Sequence, residues 1–396
     1  MPKYALRFVT LALTLSVVGS FGCEPSTAAA RRKAPARGRQ AATAPLSANA
    51  LTDTARLLAG LPTDPSGPLS AVAAKPEWQA WQKEFDNQWT KATNERFAEM
   101  TAWRDKELAP VTGTCGTLMY PFSGPDILNA IVLFPDCQRY ILFGLEPVGS
   151  MPVLEQLPAE RLTRLFEETR RALNDLLSRN YFITSHMMQD AAAQDLRGIL
   201  PLMAVSLVRL DARLVSVREM EIAEDGELRP RTPPAKDRRI ASAVELVFER
   251  PGHGPQTVVY FRAQAEDKAI PQRPGVVPFL QHQAPYATFL KSASYLLHGS
   301  DFSIVRNLLL HDSRLVLEDD SGIPLRYLKA PDWTVSFYGK YVKPIKDFNY
   351  GYQQDMAKVY SDPKVVKPLT FSFGYHWSDG SASVLLAVRN PSSPAN

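Results

Sequence analysis

Six histidines, His186, His253, His282, His298, His311 and His376, are the first residues to test for chemistry. None falls at the spacing of a metal-binding helix such as H-E-x-x-H, so no local pair would hold an ion by itself. His298 and His311 flank a helical stretch and are followed by Asp312, Asp319 and Asp320. Packed as a hairpin beside the next strand, these side chains would make a carboxylate-imidazole group suited to a divalent metal or to acid-base work. Helix ends and turns are the competing explanation for both histidines. Asp319-Asp320-Ser321-Gly322 is as oxygen-rich as a cation loop, but it lacks the alternating carboxylates and closing Glu of an EF-hand. A turn after a strand accounts for the same residues.

A second candidate lies in residues 114–152, TCGTLMYPFSGPDILNAIVLFPDCQRYILFGLEPVGSMP. Pro and Gly turns bracket apolar runs there, so the backbone must bend beside buried hydrophobes, as in the floor of a cleft. Tyr120, Asp126 and Glu146 stand at these bends and join Asp319 and Asp320 as candidate pocket residues. Asp126, after Pro125, also has the place of a helix cap. No G-x-S-x-G elbow, S-x-x-K, P-loop or G-x-G-x-x-G occurs, and Ser123-Gly124 lacks the preceding Gly of an elbow. Catalytic residues are therefore unassigned, and a divalent metal at His298 and His311 is the one cofactor the pattern suggests.

The elements that must position these groups follow from periodicity. With 396 residues, 45% of them hydrophobic, the chain can bury a large core. Trp78, Trp81, Phe85 and Trp89 recur at spacings of three and four, and Phe97, Met100 and Trp103 extend the stripe, which predicts a helix over 76–108. The stripe reads as core packing, with a sugar-binding groove as the alternative. Further helices are expected at 47–61, 158–179, 285–297, 302–311 and 347–359, with a helix pair interrupted around Gly198 and Pro201 over 185–209, and 126–134 is either a short helix or a buried strand. Strands are expected at 117–120, 139–145, 213–222, 243–249, 257–262, 314–318, 334–338, 369–376 and 383–388. Two hairpins are expected, around 251–255 and 378–381. Helices and strands interleave without regular alternation. This predicts an α+β fold, a mostly antiparallel sheet with packed helices, in a single large globular domain over 75–390 with a tail at 391–396.

Lys3 and Arg7 precede an uncharged apolar run over 8–21, the pattern of an export signal across 1–22. The run is shorter than the roughly 20 residues a membrane span needs, and no later segment reaches that length without charges. Ser20-Phe21-Gly22-Cys23 resembles the lipobox of bacterial lipoproteins. The resemblance implies cleavage before Cys23, lipid on its thiol, and a bacterial membrane anchor facing the periplasm or cell surface. Ordinary cleavage after 28–30 is the alternative.

Residues 23–45 have almost no large apolar side chains, and 23–74 reads as a disordered tether with a short helix over 47–61. The basic cluster from Arg31 to Arg39 is either a solvated tether or a contact for anionic lipid or cell-wall polymer. Seven of the 45 Lys and Arg precede Pro45, against one acid, Glu24, leaving 38 cations against 40 acids in the remainder. Such a near-neutral remainder argues against a nucleic-acid partner. With Cys23 lipidated, Cys115 and Cys137 form an even pair in an oxidising compartment, which favours a disulfide over two buried thiols.

YPFSGPD, LFGLEPVG and DDSGIPLRY resemble stretches of a family of exported bacterial proteins over about 114–341. That resemblance implies no activity and transfers no functional residue. The function expected is that of a membrane-tethered envelope lipoprotein in binding or envelope maintenance. The alternative is an envelope hydrolase using dispersed carboxylates or a His-Asp metal site.

Overall fold

A computed structural model describes residues 46–155, 157–182, 195–231, 239–378 and 380–391. Cys23, the cluster from Arg31 to Arg39 and His186 lie outside the described residues. The strands are β1 (Thr117–Pro121), β2 (Arg139–Gly144), β3 (Arg213–Ile222), β4 (Leu228–Pro230), β5 (Ala241–Glu249), β6 (Gln256–Arg262), β7 (Tyr286–Leu290), β8 (Ser313–Glu318), β9 (Trp333–Gly339), β10 (Val366–Lys367) and β11 (Ser383–Arg389). They form one sheet in the order β10-β9-β11-β8-β7-β1-β2-β6-β5-β3-β4.

Both wings of the sheet carry the antiparallel pairs, β6-β5-β3-β4 on one side and β8-β11-β9 on the other. The five central strands, β8-β7-β1-β2-β6, run parallel. The α+β class therefore holds, with a mixed sheet. From β1 the chain winds outward through β2 to β6, then returns to place β7 and β8 on the opposite side of β1. Winding thus reverses between β1 and β7, and in open sheets the crevice outside the carboxyl ends of the strands at such a reversal is where ligands bind.

Alternation along the strands feeds two cores. Leu118, Tyr120, Tyr140, Leu142, Ala287, Phe289, Leu315 and Leu317 pack against helices on one face. Met119, Ile141, Phe143, Val259, Phe261 and Val316 pack against the other layer. Helices on the first face are α1 (Ala48–Leu58), α2 (Pro76–Ala92), α3 (Ile127–Leu133), α4 (Ala159–Arg179) and α5 (Leu200–Arg209); α6 (Ser303–Asp312) lies on the second. The aromatic stripe is core: Trp78, Trp81 and Phe85 are buried, and Trp81 stacks on Phe166 of α4 at 5.9 Å. Two π-helical turns, Thr93–Phe97 and Arg104–Leu108, interrupt the long helix after α2.

Several expectations change. The short helix expected in the tether is α1, capped by Ser47 and packed in the core, so the folded unit begins at Leu46. The helix expected over 285–297 is instead β7 followed by an irregular turn, because 286–290 is buried on both faces and shows no period-two pattern. Residues 369–376 alternate but form no ladder. Phe371 and Phe373 pack against Trp103 and Phe289, while both sides of β9 are taken by β11 and β10. The hairpin expected around 378–381 is therefore absent among the described residues, and β11 enters between β8 and β9. Residues 126–134 resolve as α3, with the Asp126 side chain accepting from the Asn129 N–H.

Candidate functional site at the carboxyl edge of the central strands

The disulfide fixes one end of the parallel core. Cys115 and Cys137 are bonded, with Cα atoms 4.4 Å apart. Each stands two residues before its strand, so the bond ties the starts of β1 and β2. The carboxyl ends of the same strands lead into the buried polar residues Ser123, Asp126, Asn129 and Glu146.

Asp126 is at the centre. The SGPD turn carries it off the end of β1 and into the cap of α3, where burial leaves it 2% exposed. Its Oδ1 accepts from the Asn129 N–H at 3.1 Å and from Asn129 Nδ2 at 2.9 Å. Its Oδ2 accepts from the Tyr120 hydroxyl at 2.9 Å and pairs with Lys291 Nζ at 2.6 Å. Lys291 also donates to the carbonyl of Asn180, the left-handed residue that ends α4. Burial holds the Lys291 ammonium below its ordinary pKa, while Asp126 opposes the shift. Arg96, buried beside them on the first π-turn, is pushed down to about 10 by burial. A buried carboxylate thus faces two buried cations, with its remaining lone pairs satisfied by neutral donors.

One strand further out, Asp319 ends β8 on the same face as Lys291. Its Oδ2 accepts from the Ser292 N–H at 2.9 Å, and its Oδ1 from the Ser321 N–H at 3.0 Å. Ser321 Oγ in turn accepts from the Ala293 N–H at 2.8 Å. These bonds hold a turn in which Ser292, Ser294 and Tyr295 have φ of 52°, 53° and 56°. Three non-glycine residues in the left-handed region within four positions are a concentration of backbone strain, and here it stands at the switch point. A Cβ at Gly374, itself at φ 60°, would fall inside the Asp319 carboxylate.

Asp320 accepts from the Tyr295 hydroxyl at 2.5 Å. Burial and the adjacent Asp319 charge push its carboxyl up to about 7. Burial also raises the Asp319 carboxyl, though its hydrogen bonds and Lys291 pull the other way. Glu318 points to the opposite face and takes the Ile323 N–H at 2.7 Å, while its Oε1 has no partner. Burial raises its carboxyl well above the ordinary value, with the neighbouring Asp319 and Asp320 charges acting in the same sense. Glu146, at the end of β2, is likewise raised by burial and is held by the Tyr260 hydroxyl at 3.3 Å.

Tyr120, Asp126, Asp319 and Asp320 are thus drawn together through Lys291 and Tyr295, with Glu146 one strand over. The two histidines are not drawn together. His298 lies next to the Asp320 backbone, where burial lowers it to about 4. His311 lies at the far end of α6, bonded to Asp312 at 2.5 Å at the amino end of β8. Among the described residues no three His, Cys, Asp or Glu side chains are grouped to hold a metal ion. Two surface grooves, of about 610 and 590 Å³, lie elsewhere, one at Trp89 and Phe97 and the other at Trp333 and Phe337.

Lys291, Arg96, Asn180 and Tyr295 escaped the sequence reading. Only a strand assignment for 286–290 would have placed Lys291 at a strand end beside the SGPD turn. No protein-family model, no curated protein and no solved structure matches the chain.

Proposed function

We propose that this chain is a lipid-anchored protein of the bacterial envelope that binds a small polar ligand at the carboxyl edge of its central parallel strands. The anchor rests on the lipobox-like Gly22-Cys23 after an apolar leader. The bond between Cys115 and Cys137 supports an oxidising compartment. The Arg31 to Arg39 cluster, close behind the anchor, would contact anionic lipid or cell-wall polymer.

The binding role is carried by one observation, the run of left-handed Ser292, Ser294 and Tyr295 at the switch point. Strain of order 1–3 kcal/mol per residue persists where surrounding bonds over-determine it, and such positions cluster at binding and active sites. Hydrogen exchange on the purified protein, screened against polar metabolites and cell-wall fragments, tests this role. Slower exchange at 292–295 on ligand addition supports it. A ligand that protects only the groove at Trp89 and Phe97 would sink it. Mass spectrometry of the mature N-terminus tests the anchor: an acylated Cys23 supports it, and a start beyond Cys23 removes it.

A hydrolase is the second reading, and Asp320 favours it. A carboxyl near 7 exchanges a proton at neutral pH, the property a general acid or base needs. Turnover of a bound ligand, lost in Asp320→Asn while binding persists, would favour this reading over simple binding.

A further inference from the structure

The polar turn at the carboxyl edge is roofed by aromatic rings. Buried Tyr295 lies beneath Phe348 and Tyr350, with ring centroids 5.5 and 6.4 Å away. Phe348 meets Tyr375 at 5.1 Å, and Tyr375 meets Tyr181 edge-on at 5.0 Å. Three separate segments, the stretch after α4, the 3₁₀ turn Lys346–Gly351 and the 3₁₀ turn Gly374–His376, thus bring one shelf of rings over 292–295.

Tyr350 is 65% exposed, yet its hydroxyl donates to the Ser294 carbonyl at 3.0 Å. Tyr375 donates to the Ser292 carbonyl at 2.8 Å and accepts from the Ser294 N–H at 3.1 Å. The rings are therefore tied in place by their own hydroxyls, and a pre-set ring loses little freedom when a ligand covers it. Asn349, Lys346 and Asp347 on the same turn are exposed, so the rim is polar and carries one charge of each sign. The carboxylates Asp319 and Asp320 lie buried beneath the rings.

We infer that this shelf binds a neutral saccharide chain, the exposed ring of Tyr350 and the half-buried rings beside it covering the C–H faces of sugar rings while exposed Asn349, between Phe348 and Tyr350, meets hydroxyls. On the shelf's own turn the cation Lys346 is followed by Asp347, and Lys291 beneath is paired with Asp126, so this turn offers an anion no net positive charge. At a lipid surface interfacial tyrosines keep their hydroxyls toward water, whereas those of Tyr350 and Tyr375 are turned in to the Ser294 and Ser292 carbonyls. This inference rests on the carboxyl-edge reading and names its ligand class.

The test is calorimetric titration of the purified full-length protein with chitotetraose and with maltotetraose, alongside Tyr350→Ala, Phe348→Ala and Tyr350→Phe. At least one oligosaccharide should bind, with Tyr350→Ala and Phe348→Ala each weakening it about tenfold, as one lost ring contact worth about 1.4 kcal/mol requires. Tyr350→Phe, which keeps the ring and loses the tether to Ser294, should weaken it less. Melting curves of the variants show whether the fold is kept.

Binding of neither sugar, or equal binding by wild type and by folded Tyr350→Ala, overturns the inference. Sedimentation with anionic lipid vesicles that is lost in Tyr350→Ala, without sugar binding, overturns it in favour of a membrane surface. If a charged metabolite slows exchange at 292–295 while neither sugar binds, the saccharide inference falls and the carboxyl-edge reading stands. If a sugar binds and protects neither the shelf nor 292–295, both fall.

Discussion

Lys291 Nζ lies 2.6 Å from Asp126 Oδ2, and this pair joins the carboxyl ends of β7 and β1 across the point where the sheet's winding reverses. The side chains are 1% and 2% exposed, so neither charge has water to fall back on. Removing one partner leaves the other buried and uncompensated, which costs about 3–5 kcal/mol. Lys291→Met and Asp126→Asn should each destabilise by that order in urea unfolding. The double variant Lys291→Met with Asp126→Asn should cost less than the sum of the two single changes. Losses under about 1 kcal/mol would show that the pair does not organise this edge.

Gly374 gives a steric test of the same network. Its backbone is left-handed, and a methyl group there would displace the Asp319 carboxylate from the N–H groups of Ser292 and Ser321. Gly374→Ala should cost about 2 kcal/mol or more by denaturant unfolding. Gly254→Ala, where a methyl group meets nothing within 4 Å, should be close to neutral.

Asp320 sets a pH dependence whose sign is fixed. Its folded pKa, about 7, lies above the ordinary 3.8, so folding takes up a proton between those values. The contribution to stability is fully present below about pH 4 and is lost as pH rises through 7. His298, lowered to about 4, works in the opposite sense, its contribution being present above 6.5 and lost as pH falls. Wild type minus Asp320→Asn cancels His298. That difference in unfolding free energy should shift by about 1–4 kcal/mol in favour of Asp320→Asn between pH 4 and 7. A flat difference would contradict a buried, raised Asp320.

The disulfide closes a loop with a sequence separation of 22 at the amino end of the parallel core. Cys115→Ala with Cys137→Ala should lower stability by about 3 kcal/mol. Without reductant, the unfolded wild type should take up no thiol label at Cys115 or Cys137. Two labelled thiols would refute the pairing.

The α+β class was legible from periodicity along the chain, and the disulfide from the even pair left once the lipobox resemblance assigns Cys23 to lipid. Asp126 was legible as a helix cap, and it is one: the carboxylate that caps α3 also pairs with Lys291. Asp319 and Asp320 were visible as an oxygen-rich turn, but their partners come from β7, whose burial on both faces erases the alternation that marks a strand. Convergence of His298 with His311 required a hairpin, whereas ten residues of α6 and strand β8 hold them at opposite ends of the sheet. Alternation in 369–376 was real as burial. It fails as a strand because no free edge of β9 is left beside it.

A ligand held at the carboxyl edge of β7 and β1, as proposed, should leave its mark in hydrogen exchange of the full-length protein, with and without a digest of bacterial cell wall. Exchange should slow at 292–295 and across Lys346–Gly351, with no change in the groove at Trp89 and Phe97. Unchanged exchange at 292–295, together with protection confined to that groove, would place the ligand elsewhere.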